Sequence, residues 1–444
     1  MRPDTGNRLR RAAVLTRSPY LRVVHTARSR GILIVCHIQR PAVQTIVIDD
    51  RLAKRNVAVL AYAQAVLGSQ MSIHIILSGL AGAYLASDAA LATLPISITV
   101  LVSMFTAPAA SLLMGRFGRR AGFLTGALCG AIGGALSASA LIMGSFGTLL
   151  AGTAFTGVYQ AFQGFYRFAA ADTASDGFKP KAISWVFAGG LLSALIGPET
   201  VHMAADLLAP IPFAGAYVAI VAINIIGAIG LSLLRIPVPP RREKGAGSGR
   251  PLSEIFRQPK VVVAVLCAMV SYALMGLVMT STPLAMVHHG FTHDHAADVV
   301  RFHVFAMFAP SFVTGSLITR FGHGKVIATG LALLAACGVI AVADASLANF
   351  YWALIALGVG WNFGFIGATS LLATAHTGAE RAKVQGLNDF LVFGLVAFAS
   401  FSSGALLDGY GWPSVQYAMI PALTVAAIAL SWYSLSGKTS TDRT

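Results

Sequence analysis

The stretch GRFGRRAGFLTGALCGA (residues 115–131) decides the fold, because its pattern returns far downstream as TRFGHGKVIATGLALLA (residues 319–335). The two Arg-Phe-Gly cores begin at Arg116 and Arg320, 204 residues apart. A looser pair, GVYQAFQGF (157–165) and GVGWNFGFI (358–366), is offset by 201 residues. Two pairs of segments at nearly equal offsets indicate a duplicated unit, and we expect both copies to fold alike.

Composition predicts that both copies lie in a lipid bilayer. The chain is 56% hydrophobic and only 11% charged, whereas soluble domains carry about 25% charged residues. A helix needs about 20 apolar residues to cross the bilayer core, and helices satisfy their backbone amides without water. The sequence therefore predicts an all-α polytopic membrane protein with twelve transmembrane helices in two six-helix halves, near residues 57–85, 91–114, 123–144, 146–170, 182–204, 213–234, 261–287, 296–319, 326–344, 349–372, 384–407 and 413–435.

The loops between these spans alternate in charge. Loops that follow even-numbered spans contain Lys and Arg, whereas loops that follow odd-numbered spans contain neither. All but one of the latter have an aspartate in the loop or at its edge: Asp88, Asp206, Asp294, Asp344 and Asp408. Since basic loops stay in the cytoplasm, both termini are expected to be cytoplasmic. The net charge of +15 is mostly this orientation signal rather than a nucleic-acid surface.

Domain boundaries follow from composition. Residues 1–51 form a basic extension, interpreted as disordered, with a targeting presequence or a contact to anionic lipids as alternatives. Two six-helix halves are predicted at 52–234 and 261–436, joined by a Pro/Gly/basic cytoplasmic linker at 235–260 and followed by a cytoplasmic tail at 437–444. The four cysteines are far apart and are interpreted as packing residues.

The segment LLMGRFGRRAGF (112–123) resembles the signature loop of the major facilitator superfamily at Arg116, Gly118, Arg119 and Arg120. Gly115 stands where that family usually has an acid, and Thr319 does so in the second copy. The resemblance implies the major facilitator fold and a secondary transporter that works by alternating access. Three further segments resemble a bacterial branch to which riboflavin uptake is assigned: FYRFAAADTASDGFKPKAIS (165–184), GWNFGFIGATSLL (360–372) and ERAKVQGLNDFLVFG (380–394).

Polar residues inside the predicted spans are candidates for a substrate cavity, because polar groups are costly in lipid. Gln160, Gln163 and Arg167 share one face of span four, and Gln70 and His74 share one face of span one. The alternatives are hydrogen bonds between helices for the glutamines and a neutral packing role for the histidine. The predicted cavity set is Gln70, His74, Gln160, Gln163, Asn224, Trp361 and Asn362.

A second candidate set is a gate or coupling site near the cytoplasmic ends of the spans. Asp389 lies beside Asn388 in an otherwise apolar helix, about five residues beyond the expected start of span eleven. We expect it to pair with Arg116 or Arg167 when the protein closes inward; proton coupling and a merely hydrated acid are the alternatives. The predicted gate set is Arg116, Arg119, Arg120, Arg167, Asn388 and Asp389.

Missing motifs narrow the function classes. The chain contains no G-x-x-x-x-G-K-[ST], H-E-x-x-H or G-x-S-x-G sequence, which argues against ATP-driven pumping and against an enzyme. We expect no cofactor, no metal ion and no nucleic acid as partner, and a metal site among His288, His289, His293 and His295 is disfavoured because their spacing matches no ligand pattern.

The predicted partners are a small, mostly neutral organic substrate, the lipid bilayer and, as a candidate coupling ion, the proton. The predicted location is the bacterial inner membrane, and the predicted state is a monomer. Riboflavin uptake is the leading function. Proton-coupled export of drugs or metabolites and a non-transporting membrane receptor are the alternatives.

Overall fold

The structure is a computed structural model and describes residues 50–88, 91–92, 94–238 and 249–441. The predicted N-terminal extension up to residue 49, linker residues 239–248 and the last three residues of the predicted tail lie outside these ranges. The described part is α-helical and contains no strand. Its first seven helices are α1 (Asp50–Leu85), α2 (Leu94–Phe117), α3 (Arg119–Met143), α4 (Phe146–Gly164), α5 (Tyr166–Ala171), α6 (Lys179–Ala204) and α7 (Ala214–Leu231).

The second part of the chain repeats this order after one short helix. The helices are α8 (Leu252–Ile255), α9 (Pro259–His288), α10 (His293–Phe308), α11 (Ser311–Phe321), α12 (His323–Ala343), α13 (Leu347–Ala373), α14 (Arg381–Tyr410), α15 (Trp412–Tyr417) and α16 (Met419–Thr441). The first span begins at Asp50, about seven residues before its predicted start, because the basic segment 51–56 is part of the same helix.

Ten helices in the described residues are long and apolar enough to cross a membrane, and an eleventh span results if the bent pair α10–α11 is counted as one. The sequence predicts twelve. The remaining predicted span, the fourth, corresponds to α4 and α5, which are separated at Phe165. Gln160 and Gln163 make α4 less apolar than its neighbours, and it is not among the ten helices counted above.

Two glycines give the duplicated Arg-Phe-Gly pattern the same backbone shape in both copies. Gly118, between α2 and α3, has φ 88° and ψ 162°, and Gly322, between α11 and α12, has φ 86° and ψ 158°. Residues with a Cβ atom rarely adopt this conformation. The repeat therefore encodes a specific reversal of the chain between two adjacent spans.

Small residues let neighbouring helices approach closely. A Cβ atom on Gly330 of α12 would lie 2.4 Å from the Gly364 backbone nitrogen of α13, and one on Gly133 of α3 would lie 2.8 Å from the Gly152 carbonyl oxygen of α4. Close packing of this kind drives helix association in lipid, where the hydrophobic effect does not operate between helices.

A bend of 41° separates α10 from α11 at Ala309 and Pro310. Proline lacks the amide hydrogen that would continue the helix and its ring clashes with the preceding turn. The predicted eighth span is thus two helices. The bend lies next to Phe308, which lines the cavity described below.

Candidate functional site

A cavity of about 120 Å³ lies among seven of the long helices and the short helix α5. Its wall contains seven aromatic side chains, one each from α5, α6, α9, α10 and α14 and two from α13: Tyr166, Phe187, Tyr272, Phe308, Phe393, Trp361 and Phe365. Its polar lining comes from α1, α4 and α5: Gln64, Gln160, Gln163 and Arg167. We call this space the aromatic cavity.

The aromatic rings of the cavity support one another. Trp361 and Phe365 lie one turn apart on α13 and stack with centroids 5.4 Å apart and planes inclined by 20°. Tyr272, Phe187 and Phe308 each meet Trp361 edge to face, at 5.6, 5.8 and 5.9 Å. Edge-to-face pairs add stability beyond the area they bury, so the wall is a rigid apolar surface suited to a flat ring.

An ion pair between Arg167 of α5 and Asp389 of α14 adjoins this cavity. Asp389 is fully buried, and Arg167 is only 5% exposed. The guanidinium group also lies 5.0 Å from the Phe365 ring centroid and donates to the Gly164 carbonyl oxygen. Asn388 donates to the same Asp389 oxygen that Arg167 contacts, at 2.8 Å.

Asp389 lies deeper than the sequence indicates. Helix α14 starts at Arg381, so Asp389 is eight residues, or roughly 12 Å, along its axis. Of the two arginines expected to pair with it, the structure brings Arg167 into contact, whereas Arg116 is exposed with its guanidinium group over Phe117. The pair therefore lies between the aromatic cavity and the ends of the helices.

A second polar cluster lies at the side of the bundle where the basic loops meet, which we call the basic side. Asp172 accepts from Arg119 at 2.8 Å and pairs with Arg381 at 3.0 Å. Arg119 also donates to Gln385 at 2.6 Å, and Ser111 donates to the Ala382 carbonyl oxygen at 2.7 Å. These contacts join α2, α3 and the end of α5 to the start of α14.

The clustered arginines of the signature loop are not equivalent. Arg119 is 6% exposed and lies within this network, whereas Arg116 and Arg120 are exposed. Only Arg119 of the three therefore couples the loop to α14 by a described hydrogen bond.

A second cavity, of about 130 Å³, opens within the basic side and is lined by Asp172, Lys179, His376, Arg381 and Gln385 among others. The pKa of His376 lies below its usual value, mainly because the side chain is buried. This imidazole is therefore neutral near pH 7, and the charges lining this space are those of the arginine, lysine and aspartate side chains.

The linker is attached to the same side. Arg250 donates from Nε and Nη2 to Glu380 at 2.7 and 2.9 Å, and Lys383 donates to the Arg250 carbonyl oxygen. These hydrogen bonds from the Arg250 guanidinium hold the pKa of the Glu380 carboxyl well below its usual range. We call this contact the linker clasp.

Four residues of the predicted cavity set lie outside the aromatic cavity. Asn224 donates to Gln70 at 2.6 Å, and His74 bonds Thr99 at 2.7 Å and Ser78 at 3.0 Å. Asn362 donates to Ser311 and to the Met307 carbonyl oxygen, each at 2.6 Å. These side chains form hydrogen bonds between neighbouring helices, the alternative that the sequence left open for polar residues in the spans, although Gln70 Nε2 and Asn224 Oδ1 remain without a partner in the described part of the chain. Gln160, Gln163 and Trp361 are the members that line the cavity.

Sequence reasoning missed most of the aromatic wall and one glutamine. Tyr166, Phe187, Tyr272, Phe308 and Phe393 gave no signal, because an aromatic residue in an apolar helix is as suited to lipid as to a cavity. Gln64 carried the signal of a polar residue inside the first span, but the predicted cavity set did not include it. The i, i+4 spacing of Trp361 and Phe365 was the one available sign of the wall, since it puts two rings on one face.

The architecture and the site together define a class: a multi-pass α-helical membrane protein whose small-molecule cavity lies between bundled helices and adjoins a buried ion pair. The family sequence model described as "Major Facilitator Superfamily" matches residues 58–311 and 264–443. The chain belongs to the Major Facilitator Superfamily, and it is a secondary transporter rather than an enzyme.

Individual relatives agree with this assignment. The chain is 44% identical over 385 residues to the "Riboflavin transporter RfnT" of Brucella anthropi, covering 86% of this chain and 96% of that protein. It is 29% identical over 407 residues to the "Uncharacterized MFS-type transporter YddS" of Bacillus subtilis, covering 87% and 92%.

Solved structures share the fold at low sequence identity. The transporter FucP in the outward conformation superposes with a TM-score of 0.73 at 18% identity, covering 86% of this chain and 99% of that one. A bacterial homologue of the iron transporter ferroportin in the outward-facing state gives a TM-score of 0.67 at 14% identity, covering 86% and 99%.

Proposed function

We propose that this protein imports riboflavin across the bacterial inner membrane by alternating access. The observation that carries the proposal is the aromatic cavity, in which seven aromatic side chains and three glutamines surround a space of about 120 Å³. Apolar ring surfaces with a few polar groups suit a flat, neutral, hydrogen-bonding ligand. The 44% identity to a riboflavin transporter supports the same ligand.

The proposed orientation puts the basic side and both termini in the cytoplasm, since the basic loops all follow even-numbered spans. In that orientation the contacts of Asp172 with Arg381 and of Arg119 with Gln385, both on α14, close the cytoplasmic side. The Arg167–Asp389 pair is then an inner gate between the substrate and the cytoplasm. The proposed moving units are residues 52–234 and 261–436, and the proposed functional state is a monomer.

Proton coupling through Asp389 is part of the proposal. Its Oδ2 atom is buried and has no hydrogen-bond partner, whereas Oδ1 carries the contacts with Arg167 and Asn388. A carboxylate whose partner is a mobile arginine can take up a proton when the two separate.

The experiment is uptake of labelled riboflavin by a riboflavin auxotroph that expresses the protein. We expect growth at low external vitamin and accumulation that an uncoupler abolishes. No rescue by well-expressed protein would contradict the proposal. Increased drug resistance of an efflux-deficient host would then favour export, and riboflavin binding without flux in proteoliposomes would favour a receptor.

A further inference from the structure

Among the described residues, three that line the aromatic cavity carry a buried polar atom without a hydrogen-bond partner: Gln160 at Oε1, Trp361 at Nε1 and Arg167 at Nε. The guanidinium group of Arg167 is already held through its other nitrogens by Asp389 and the Gly164 carbonyl oxygen. Within the described part of the chain, Gln160, on α4, and Trp361, on α13, have no such side-chain contact. A buried polar group without a partner costs free energy, and most such groups in proteins are satisfied. In a ligand cavity, the ligand is the group that can supply the missing hydrogen bonds.

The other glutamines of the cavity are placed differently. A Cβ atom built on Gly68 of α1 would lie 3.2 Å from Nε2 of both Gln64 and Gln163. The amides of these two side chains thus pack against α1, and neither has a buried polar atom without a partner. Of the three cavity glutamines, Gln160 is thus the one whose carboxamide oxygen is both buried and without a partner among the described residues.

The chemistry of the two groups defines the complementary ligand edge. A carboxamide offers an acceptor oxygen and a donor N–H₂ side by side, and an indole offers one N–H donor. The carboxamide can pair with an N–H and an adjacent carbonyl, in the way that glutamine pairs with base edges. The indole can then donate to a second carbonyl. The complement is an acceptor–donor–acceptor sequence, which is the edge of a cyclic imide.

We propose that the protein recognises its substrate through a cyclic imide edge, with Gln160 and Trp361 as the specificity-determining residues. This inference rests on the proposed function, because the pyrimidinedione ring of riboflavin carries such an edge. The imide N–H donates to the Gln160 carboxamide oxygen, and the two carbonyls accept from the Gln160 carboxamide and from the Trp361 indole. The aromatic wall holds the fused rings.

The test compares riboflavin with N3-methylriboflavin, and lumichrome with its N3-methyl derivative, as ligands of the purified wild-type protein in nanodiscs. Methylation removes the imide donor and leaves the rest of the ring system unchanged. We expect each methylated compound to bind at least about tenfold more weakly, because it leaves buried polar groups unpaired. Equal binding of methylated and unmethylated ligands would overturn the inference and requires no mutant.

Two variants test whether Gln160 and Trp361 cause the preference for unmethylated over methylated ligands. Gln160→Leu removes the carboxamide at similar volume, and Trp361→Phe removes the indole N–H and keeps a smaller aromatic ring. We expect both to bring the ratio of the two dissociation constants toward one. Gln163→Leu is the matched control, since it removes a cavity glutamine one turn away; its overall affinity changes, but the ratio stays as in the wild type. A folded Gln160→Leu protein that keeps the full ratio would contradict the assignment.

The outcomes separate this inference from the proposed function. Wild-type protein that prefers lumichrome to its methylated form but does not take up riboflavin supports the imide edge and overturns riboflavin import. Riboflavin uptake without discrimination against methylation overturns the imide edge alone. Binding of none of the four compounds overturns both.

Discussion

At the scale of single residues, the Arg167–Asp389 pair is the contact with the largest expected effect. Both side chains are buried, and removing one partner of a buried pair costs about 3–5 kcal/mol. Asp389→Asn keeps the shape and a hydrogen-bond acceptor but removes the charge. We therefore expect a shift on the order of 3 kcal/mol, or about 100-fold, toward conformations in which the pair is separated.

Transport assays distinguish the two roles proposed for Asp389. If it acts only as a gate, Asp389→Asn slows uptake and counterflow alike. If it carries the coupled proton, the variant still exchanges riboflavin in counterflow but does not accumulate it. The control is Asp298→Asn, which breaks an exposed 3.0 Å pair with Arg301 and should change little. If Asp389→Asn transports riboflavin at the wild-type rate and to the wild-type level, Asp389 is neither a gate nor the carrier of the coupled proton.

Arg119 and Arg116 lie in the same loop, so variants of the two residues can be compared directly. Arg119 is buried and contacts Asp172 and Gln385, whereas Arg116 is exposed. Arg119→Ala should lower the rate of riboflavin uptake severalfold, because it leaves a buried Asp172 with one partner fewer, while riboflavin affinity stays within a few-fold. Arg116→Ala should have the smaller effect on rate. A larger loss for Arg116→Ala would show that the exposed face of the loop acts in another conformation.

At the scale of helices, close backbone approach makes α12 and α13 sensitive to single methyl groups. A Cβ atom on Gly330 would lie 2.4 Å from the Gly364 backbone nitrogen, so Gly330→Ala must separate the two helices. We expect a loss of about 1–3 kcal/mol, visible as a lower midpoint of thermal unfolding in detergent. Gly404→Ala in α14 is the control, because no atom lies within 4 Å of its Cβ position; a helical alanine there should be neutral or stabilising.

The linker clasp gives a prediction for pH dependence at the same scale. Because Arg250 lowers the pKa of Glu380, the contact contributes fully above the unfolded pKa of glutamate, near 4.3, and weakens only as pH falls below it. Glu380→Gln should therefore lower thermal stability by the same amount at pH 5.5 and at pH 8. The exposed Glu254 provides the control variant Glu254→Gln. If the stability difference between the wild type and Glu380→Gln were present at pH 8 and lost at pH 5.5, the pKa of Glu380 would not be lowered as stated.

At the scale of the whole molecule, alternating access requires that the basic side opens. A Cβ atom on Gly115, at the end of α2, would lie 3.1 Å from the Ala382 Cβ atom of α14, close to the separation in disulfides. In a background without native cysteines, the double variant Gly115→Cys/Ala382→Cys should lose uptake on oxidation and regain it on reduction. Each single variant is the control. Full uptake by protein with a verified crosslink would exclude rocking about this contact.

The sequence by itself determined the helical membrane class, the duplication and the residues in which polar chemistry is concentrated. The length of the apolar segments and the charge of the loops depend directly on the bilayer. The repeated glycine at 118 and 322 indicates a local backbone conformation that needs no tertiary contact. Gln160, Gln163, Trp361, Arg167 and Asp389 were all identified from polarity or aromatic character in apolar helices.

Only the tertiary structure decided which of these side chains face the cavity. Gln70 and Asn224 hydrogen-bond to each other at 2.6 Å between α1 and α7 and lie outside the aromatic cavity, whereas Gln160 lines that cavity. The sequence signal is the same for Gln70 and Gln160: an amide that shares one helix face with other polar residues of its span. A membrane helix can turn a polar residue toward another helix or toward a cavity at similar cost, so the choice depends on packing with helices that are distant in sequence.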